Sequence, residues 1–440
     1  MSNQNKSAGA PKLRETYIQL FDKKGRGWGK TTSGGSLIVP HTIPGETIIA
    51  EKGKRGHGAV HEVIDPSPHR IEPRCQHVGQ CGGCRWQHIA YEHQLRLKQQ
   101  EAERLFLREG LERTADQLPI QGSPPFQYRN RMDFIWWFDG RFGLREEGKW
   151  HAIVDLHECH LIDPAVMKIA LEVNRRAQSM DLPLRDAKYR RPGLRYLVIR
   201  HGVFTGEVML IFVSDDVDLP PALWQGFERV VSVWQLINDN FENDASDGAP
   251  RHLSGADGYR EQIQGHTFEV GPRSFFQPNP TVTHQMVDHV RSLVPQPRPL
   301  LIDLYCGVGL FSNLLADRFG QVIGIESEAE AIQRAQRNTQ AGHVEYHCLD
   351  AEAAIRFDFP QDAVLLLDPP RAGIHPKVEK WLLEKRFAEI IYVSCNPRKS
   401  IPNLAILEKE YNIISTALFD QFPQTAHVEL ISHLRLRDGT

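Results

Sequence analysis

The stretch Leu300-Leu-Ile-Asp-Leu-Tyr-Cys-Gly-Val-Gly309 joins a short apolar run to a glycine turn, and a helical pattern begins at Leu310. Glycines at such a turn let backbone N–H groups approach a ligand closely, so Gly307 and Gly309 are candidate cofactor-binding residues. Further apolar runs alternate with helical patterns downstream, at residues 321–325, 363–367 and 389–394. This alternation predicts an α/β domain with a parallel, Rossmann-like sheet and helices on both faces.

Length and composition limit the class of protein. The chain has 440 residues, is 41% hydrophobic and carries a net charge of −3, which fits a globular protein of two to four domains. It contains no apolar run long enough to span a membrane, and residues 1–12 are polar and lack the apolar stretch of a signal peptide. We therefore expect a cytoplasmic protein whose first 12 residues form a disordered tail.

Patterns along the rest of the chain predict three further parts. Short strands separated by glycine turns predict a small OB-like β-barrel over residues 13–66. A strand-rich central domain is expected from residues 67–90 and 119–265. A helix near residues 91–110 and the alternating segments after 300 assign residues 91–118 and 266–440 to the α/β domain.

Two carboxylates follow strands of the predicted sheet. Glu326 lies 19 residues after Gly307, the spacing at which a carboxylate accepts hydrogen bonds from ribose hydroxyls. Asp350 follows the next strand and is interpreted either as an adenine contact or as a helix N-cap. Because a third motif glycine and a Lys-Ser/Thr pair are absent, NAD and nucleoside triphosphates are disfavoured as cofactors.

The motifs Asp368-Pro-Pro-Arg371 and Ser394-Cys-Asn-Pro397 carry the candidate chemistry. Asp-Pro-Pro loops meet planar bases beside a cofactor, and Cys395 ends the following strand, where ligands bind in open α/β sheets. The following helix turns are expected to lower the pKa of Cys395 and favour the thiolate. A buried cysteine is usually structural, and exocyclic-amine methyltransferases share a similar Pro-Pro loop without needing a thiol.

Together, the glycine turn and these two motifs resemble the RNA uracil-5-methyltransferases, which use S-adenosylmethionine, and the resemblance runs from the barrel to Glu429. It implies that the barrel is a TRAM module and that Glu429, in Phe422-Pro-Gln-Thr-Ala-His-Val-Glu429, removes the C5 proton, with His427 as the rival base. It implies that Asp368 accepts a hydrogen bond from the uracil edge and that Arg131 lies near the flipped uridine. It also implies a set of cofactor-lining residues: Gln277, Tyr305, Leu310, Glu326, Asp350 and Asp368.

Three cysteines, Cys75-x5-Cys81-Gly-Gly-Cys84, gather within ten residues and predict a metal site. Cys159 is the best candidate for the fourth ligand, with His77 and His88 as alternatives. Four thiolates fit either zinc or an iron–sulfur cluster. The family resemblance implies a [4Fe-4S] cluster held by the four cysteines.

The sequence therefore predicts S-adenosylmethionine-dependent methylation of uracil C5 in RNA, through a covalent adduct between Cys395 and C6. The expected substrate is a loop uridine of 23S ribosomal RNA, and the enzyme is expected to act as a monomer away from membranes. Three alternatives are a transfer-RNA T-loop uracil-5-methyltransferase, an exocyclic-amine base methyltransferase and a non-catalytic RNA-binding factor.

Overall fold

The computed structural model describes residues 12–240, 245 and 247–437, so the predicted tail lies outside the described residues except for Lys12. The chain divides into two compact units. The first runs up to Gln94 and includes Gln424–Ala426, and the second comprises Leu95–Pro423 and the residues from His427 onward. The predicted domain boundaries at 66/67, 90/91, 118/119 and 265/266 stay a prediction. Within the described ranges, no helix is long and apolar enough to cross a lipid bilayer.

The first unit is built on a five-stranded antiparallel sheet in the order β3-β2-β1-β4-β5. Its strands are β1 (Leu13–Phe21), β2 (Gly27–Thr31), β3 (Ser36–Val39), β4 (Thr47–Lys52) and β5 (Gly58–Asp65). A bridge between Ile38 and His57 joins the β3 edge to the start of β5, so the sheet curls as the predicted barrel requires. Apolar side chains from β1, β3 and β4 fill its core.

Not every glycine of the predicted barrel lies in a turn. β2 begins at Gly27 and also contains Gly29. A side-chain carbon at Gly29 would lie 2.2 Å from the carbonyl oxygen of Tyr17 on β1. This glycine therefore permits close packing of two strands rather than a turn.

The second unit contains a seven-stranded sheet in the order β13-β12-β11-β10-β7-β8-β9 and a two-stranded ribbon, β14-β15. All neighbours in the seven-stranded sheet are antiparallel except β11 and β12. The strands are β7 (Arg131–Trp136), β8 (Phe142–Arg145), β9 (Ile153–Asp155), β10 (Leu194–His201), β11 (Val208–Ser214), β12 (Val230–Ile237), β13 (Ala249–Gly255), β14 (Tyr259–Ile263) and β15 (His266–Val270). The helix α3 (Pro164–Ser179) lies between β9 and β10 in sequence, and a 3-10 turn spans Pro221–Leu223.

The same unit contains an eight-stranded sheet in the order β18-β17-β16-β19-β20-β22-β21-β6. The strands are β6 (Ile120–Gln121), β16 (Arg298–Leu304), β17 (Phe319–Glu326), β18 (Val344–Cys348), β19 (Val364–Leu367), β20 (Glu389–Ser394), β21 (Tyr411–Phe419) and β22 (Glu429–Leu436). Its helices are α1 (Tyr91–Arg108), α2 (Glu112–Ala115), α4 (Pro280–Leu293), α5 (Leu310–Leu314), α6 (Ala329–Asn338), α7 (Ala351–Ala354), α8 (Pro376–Lys385) and α9 (Pro397–Leu407), with a 3-10 turn at Ala316–Arg318. The five strands β18, β17, β16, β19 and β20 are parallel to one another. β22 is antiparallel to both of its neighbours, β20 and β21.

Both faces of this sheet are buried, as the alternation predicted. Successive residues of β16 divide between two hydrophobic cores, with Leu301 in one and Ile302 in the other. The first core includes α4, and the second includes α1, α8 and α9. Parallel strands buried on both faces read as continuous apolar runs, which is why the strands after residue 300 were visible in the sequence.

Candidate active site

The glycine turn after β16 leaves open space on one side. Tyr305, Gly307 and Gly309 all have positive φ, at 71°, 54° and 81°. A side-chain carbon at Gly307 would meet no described atom within 4 Å, whereas one at Gly309 would lie 2.4 Å from the hydroxyl of Tyr346. Gly307 thus keeps room for a ligand, and Gly309 permits packing at the start of α5.

Glu326, at the end of β17, faces this turn. The backbone N–H of Gly307 donates to its carboxylate at 3.3 Å, and the N–H groups of Ser327 and Glu328 donate at 2.7 and 3.0 Å. Asp350 is exposed at the N-cap position of α7, but its side chain makes no capping hydrogen bond. Asp350 therefore does not make the hydrogen bond that its interpretation as a helix N-cap requires.

Gln277 links the segment before β7 to the Asp-Pro-Pro loop. Its side-chain N–H donates to Asp368 at 3.3 Å, and its carbonyl accepts from the buried side chain of Asn130 at 2.8 Å. Arg131 follows at the start of β7, where its guanidinium donates to Asp133. The predicted contact between Arg131 and a uridine stays a prediction. Leu310, also assigned to the cofactor site, is buried at the start of α5.

Strand register brings the predicted nucleophile and base together. Ser394 on β20 pairs with Leu430 on β22, and Cys395 and Glu429 are the next residues along each chain segment. The charge of Glu429 raises the pKa of Cys395, so the two side chains lie near each other. Asp368 follows β19, the parallel neighbour of β20, so it lies at the same end of the strands as Cys395.

Burial controls the protonation of these groups. It raises the pKa of Cys395 to about 11, with further increases from the charges of Glu429 and Asp368. Burial also raises the pKa of Asp368 to about 7 and holds the pKa of Glu429 well above its usual range. The expectation that helix turns lower the pKa of Cys395 was wrong, because desolvation and two neighbouring carboxyl groups outweigh any helix contribution.

Arg371, which sequence reasoning did not single out, supplies an opposing charge. This exposed side chain lowers the pKa of both Cys395 and Glu429. The side-chain N–H of Asn396 donates to the Arg371 carbonyl at 2.9 Å and so ties the Pro-Pro loop to the cysteine loop. The signal available in the sequence was its position, directly after Pro370.

A buried ion pair supports the loop that leads to Glu429. The ammonium group of Lys98, on α1, lies 2.5 Å from Asp420 and also donates to the carbonyl of Phe422 at 3.1 Å. Both charged side chains are fully buried. Sequence patterns gave no sign of this pair, because its members are separated by 322 residues.

Comparisons with known proteins identify the family. A family model described as tRNA (Uracil-5-)-methyltransferase matches residues 261–357 and 349–436. The tRNA (uracil(54)-C(5))-methyltransferase of Pyrococcus abyssi is 33% identical over 408 residues, which cover 90% of this chain and 95% of that protein. The chain belongs to the RNA (uracil-5-)-methyltransferase family.

Two further matches cover nearly the whole chain. An uncharacterized RNA methyltransferase from Thermotoga maritima is 30% identical, covering 95% of this chain and 98% of that protein. The crystal structure of the Pyrococcus abyssi tRNA (uracil-54, C5)-methyltransferase with S-adenosyl-L-homocysteine matches with a TM-score of 0.78 and 30% identity. That match covers 96% of this chain and all of the other, so the predicted methyltransferase fold is confirmed.

The predicted metal site lacks comparable support. Cys75, Cys81 and Cys84 are half-buried in an irregular segment of the first unit, and Cys159 is half-buried between β9 and α3 in the second. Within the part of the chain that the structure describes, no group of three or more His, Cys, Asp or Glu side chains is arranged to hold a metal ion. The iron–sulfur cluster stays a prediction.

Asp303 sits beneath the glycine turn as a fully buried carboxyl in β16. Its Oδ2 accepts from the backbone N–H of Ser312 at 2.9 Å and from the Ser312 hydroxyl at 2.6 Å. Burial raises the pKa of Asp303 to about 6, although these two hydrogen bonds oppose the increase. The folded protein therefore binds this proton more tightly than the unfolded chain.

The stability contributed by this raised pKa is present below pH 4 and is lost as pH rises through 6. Asp303→Asn removes the titrating group. Between pH 4 and pH 8, the free energy of unfolding of the wild type should therefore fall by about 3 kcal/mol relative to that of the variant. Urea unfolding followed by tryptophan fluorescence at several pH values measures the difference. Parallel pH profiles for the two proteins would contradict it.

Proposed function

We propose that this protein methylates C5 of a uracil in RNA through a covalent cysteine adduct, with S-adenosylmethionine as methyl donor. The observation that carries the proposal is the pairing of β20 with β22, because Cys395 follows one strand and Glu429 begins the other, at the end of the strands where Asp368 also lies. A thiol, a buried carboxyl group and a base-facing Asp-Pro-Pro loop are the groups that pyrimidine C5 methylation needs.

The open side of the glycine turn fits the methyl donor. The backbone at Gly307 has room for a ligand, and Glu326 is oriented by three backbone N–H groups and the Ser327 hydroxyl. Three of these donate to Oε1 and one to Oε2, so Oε2 is the oxygen that would accept from a ribose hydroxyl. Asp350 suits the adenine edge, and Gln277 and Tyr305 complete the crevice. When bound, S-adenosylmethionine supplies an electrophilic methyl group. The similar Pyrococcus abyssi structure is a complex with S-adenosyl-L-homocysteine, the demethylated product of this donor.

Cys395 provides the electrons that uracil C5 lacks. Its sulfur forms a bond to C6, the C5–C6 double bond opens, and the negative charge is shared between C5 and the carbonyl oxygen on C4. The thiol proton must leave first, because burial raises the pKa of Cys395 to about 11. Arg371 favours the thiolate, since its positive charge lowers this pKa.

Glu429 completes the cycle after methyl transfer to C5. Its carboxylate takes the C5 proton, the electron pair reforms the C5–C6 double bond, and the C6–sulfur bond breaks to return the thiolate. Glu429 must be ionised to do this, and in the RNA-free protein burial holds its pKa well above the usual range. Before the next cycle begins, Glu429 therefore releases to solvent the proton that it gained, whereas the thiol loses its proton before the first cycle and returns as the thiolate. Asp368 is positioned to accept a hydrogen bond from the uracil edge.

Cys395→Ala is expected to abolish methyl transfer, because no other group in the site can add to C6. Glu429→Gln is expected to accumulate a covalent RNA–protein adduct, because the C5 proton cannot leave and the sulfur cannot depart. Labelled methyl transfer and a denaturing gel measure the two effects. Cys348→Ala, which removes an exposed thiol at the end of β18, is the matched control and should turn over normally. Normal turnover in Cys395→Ala would rule out the mechanism.

Two RNA classes are candidates for the substrate. The predicted TRAM module and iron–sulfur cluster favour a loop uridine of 23S ribosomal RNA. The similar proteins from Pyrococcus abyssi and Pyrococcus furiosus, at 33 and 34% identity, carry names that specify uracil 54 of transfer RNA. These names favour a uridine of transfer RNA, the second candidate class. In either class the target base must lie outside a stacked helix, because C5 of a stacked base is out of reach of the thiol.

The substrate is identified by incubating the enzyme and labelled S-adenosylmethionine with undermodified total RNA and mapping the methylated position. We expect label at C5 of one uridine in a loop of 23S ribosomal RNA. Label confined to the T-loop of transfer RNA would replace this substrate with the second candidate and leave the chemistry intact. Label on an exocyclic amine would overturn the uracil assignment.

We also propose that Cys75, Cys81 and Cys84 ligate an iron–sulfur cluster with a structural or RNA-docking role. Their spacing and half-burial support the proposal, and a fourth ligand is required, for which Cys159 is the residue predicted from the sequence. The chain around them is ordered by local hydrogen bonds, such as that from the Cys81 N–H to the His77 carbonyl at 2.8 Å. No catalytic step depends on the cluster.

Anaerobically purified protein should be brown and contain iron and acid-labile sulfide. Cys81→Ser and Cys84→Ser should lose both, because each removes a thiolate ligand, whereas Cys348→Ser should retain them. Metal analysis and the visible absorption spectrum provide the measurement. Stoichiometric zinc without iron would make this a zinc site, and absence of both metals would refute a metal site.

A further inference from the structure

A rigid hairpin projects from the segment between α3 and β10. The backbone groups of Asp186 and Arg191 exchange two hydrogen bonds, of 3.1 and 3.0 Å, which close the loop between them. The buried carboxylate of Asp186 also accepts from the N–H groups of Lys188 and Tyr189, at 2.9 and 3.2 Å. The tip of this hairpin, Lys188 to Arg191, is therefore held in a defined conformation.

The hairpin tip presents an aromatic ring in contact with two cations. Tyr189 is 62% exposed. The Lys188 ammonium lies over the ring at 4.9 Å from its centre, and the Arg191 guanidinium carbon lies over it at 5.7 Å. An exposed ring can stack on a nucleobase of any identity, and long flexible cations that contact the ring can also reach the flanking phosphates.

A cleft of about 500 Å³ adjoins the hairpin, within the roughly 300–1,000 Å³ range of small-molecule sites. Its lining includes six residues on which the inference depends: Trp136, Phe138, Asp181, Pro183, Arg191 and Pro192. Trp136 is a buried part of the lining, whereas Phe138 is 54% exposed. The turn that carries Phe138 is tied to α3, because the Gln178 side chain donates to the Gly140 carbonyl at 2.9 Å. The cleft is therefore preformed.

We propose that the hairpin tip and this cleft bind an unpaired stretch of the substrate RNA outside the target nucleotide. Arg191 belongs to both features and joins them into one surface. The cleft lies at the Trp136 end of β7, and the contact from Asn130 to Gln277 lies at the other end. Six residues of strand separate the two ends by about 20 Å, so the RNA must extend well beyond the methylated uridine. This inference rests on the proposed function.

The chemistry favours single-stranded RNA over a duplex or a protein partner. A stacking ring needs bases that are not already stacked in a helix. The exposed carboxylate of Asp181 repels phosphate from the cleft and accepts hydrogen bonds from the N–H groups of a base. Lys188 and Arg191 attract the phosphates outside the cleft. Bases therefore enter the cleft while the backbone follows its basic rim.

The test measures binding of the full-length protein to a fluorescein-labelled 12-nucleotide oligouridylate and to a 12-base-pair RNA duplex. Tyr189→Ala should weaken single-strand binding about 5- to 100-fold, the effect of losing one stacked base, and leave duplex binding unchanged. Tyr189→Phe keeps the ring and should restore most of the affinity. With undermodified total RNA, Tyr189→Ala should lower the methylation rate at limiting RNA and not at saturating RNA.

Charge is tested separately. Replacing Lys188 and Arg191 together by Ala should reduce the slope of log affinity against log salt concentration by about 1.4, the value for two lost phosphate contacts on a single strand. Lys380→Ala, which removes an exposed cation on α8, is the matched control and should leave the slope unchanged. Wild-type affinity in Tyr189→Ala together with an unchanged slope in the double variant would overturn the proposal. If instead the wild type binds the oligonucleotide through Tyr189 but methylates no uracil, the proposed function fails and the binding surface stands.

Discussion

Removal from water is the constraint that sets the chemistry of this active site. Cys395, Asp368 and Glu429 meet at one end of the sheet's strands, where burial raises the pKa of each. The charges of Glu429 and Asp368 raise the pKa of Cys395 further, and the charge of Asp368 raises that of Glu429. The further increase in the pKa of Asp368 comes from Asp303. A site with three such groups cannot hold three negative charges at once. Arg371 is the cation that lowers the pKa of both the thiol and Glu429, so the charge state of the site depends on a residue at its exposed rim.

The same desolvation links catalysis to the surrounding fold. The polar groups around the site are supported by pairs brought from distant parts of the chain, such as Lys98 with Asp420 and Asn130 with Gln277. Breaking a buried ion pair leaves an uncompensated charge, which costs about 3–5 kcal/mol. The loop before Glu429 is therefore held by an interaction that costs much free energy to break. This interaction keeps Glu429, the proposed base, near Cys395, the proposed nucleophile.

Local patterns predicted much of the α/β domain. The run at residues 389–394 coincides with β20, and the helix predicted near residues 91–110 contains α1, because buried parallel strands and amphipathic helices each have a local signature. Cys395 and the carboxylates at Glu326 and Asp368 were found from their positions after such strands. Assigning Glu429 required the family resemblance, because a base on an antiparallel strand has no local motif.

What escaped prediction depends on contacts distant in sequence. The prediction of a lowered pKa for Cys395 took only the following helix into account. Its pKa is instead raised by burial and by the charge of Glu429, 34 residues away in the chain. The pair of Lys98 with Asp420 joins two segments whose local patterns say nothing of each other. The run at residues 134–138 was read as strand, but β7 ends at Trp136, because the backbone of Trp137 hydrogen-bonds to Arg141 to make a turn.

The position of β22 constrains how the chain reaches its working state. This strand follows β20 and β21 in sequence but lies between them in the sheet. β20 therefore gains its second neighbour only when β22, 36 or more residues further along the chain, pairs with it. Until that step, the strand that ends before Cys395 has an open edge. Pairing between segments distant in sequence forms slowly, because the loops it closes must lose entropy before the contacts form. Under the proposed mechanism, a chain that has not completed this step holds Cys395 without Glu429 beside it.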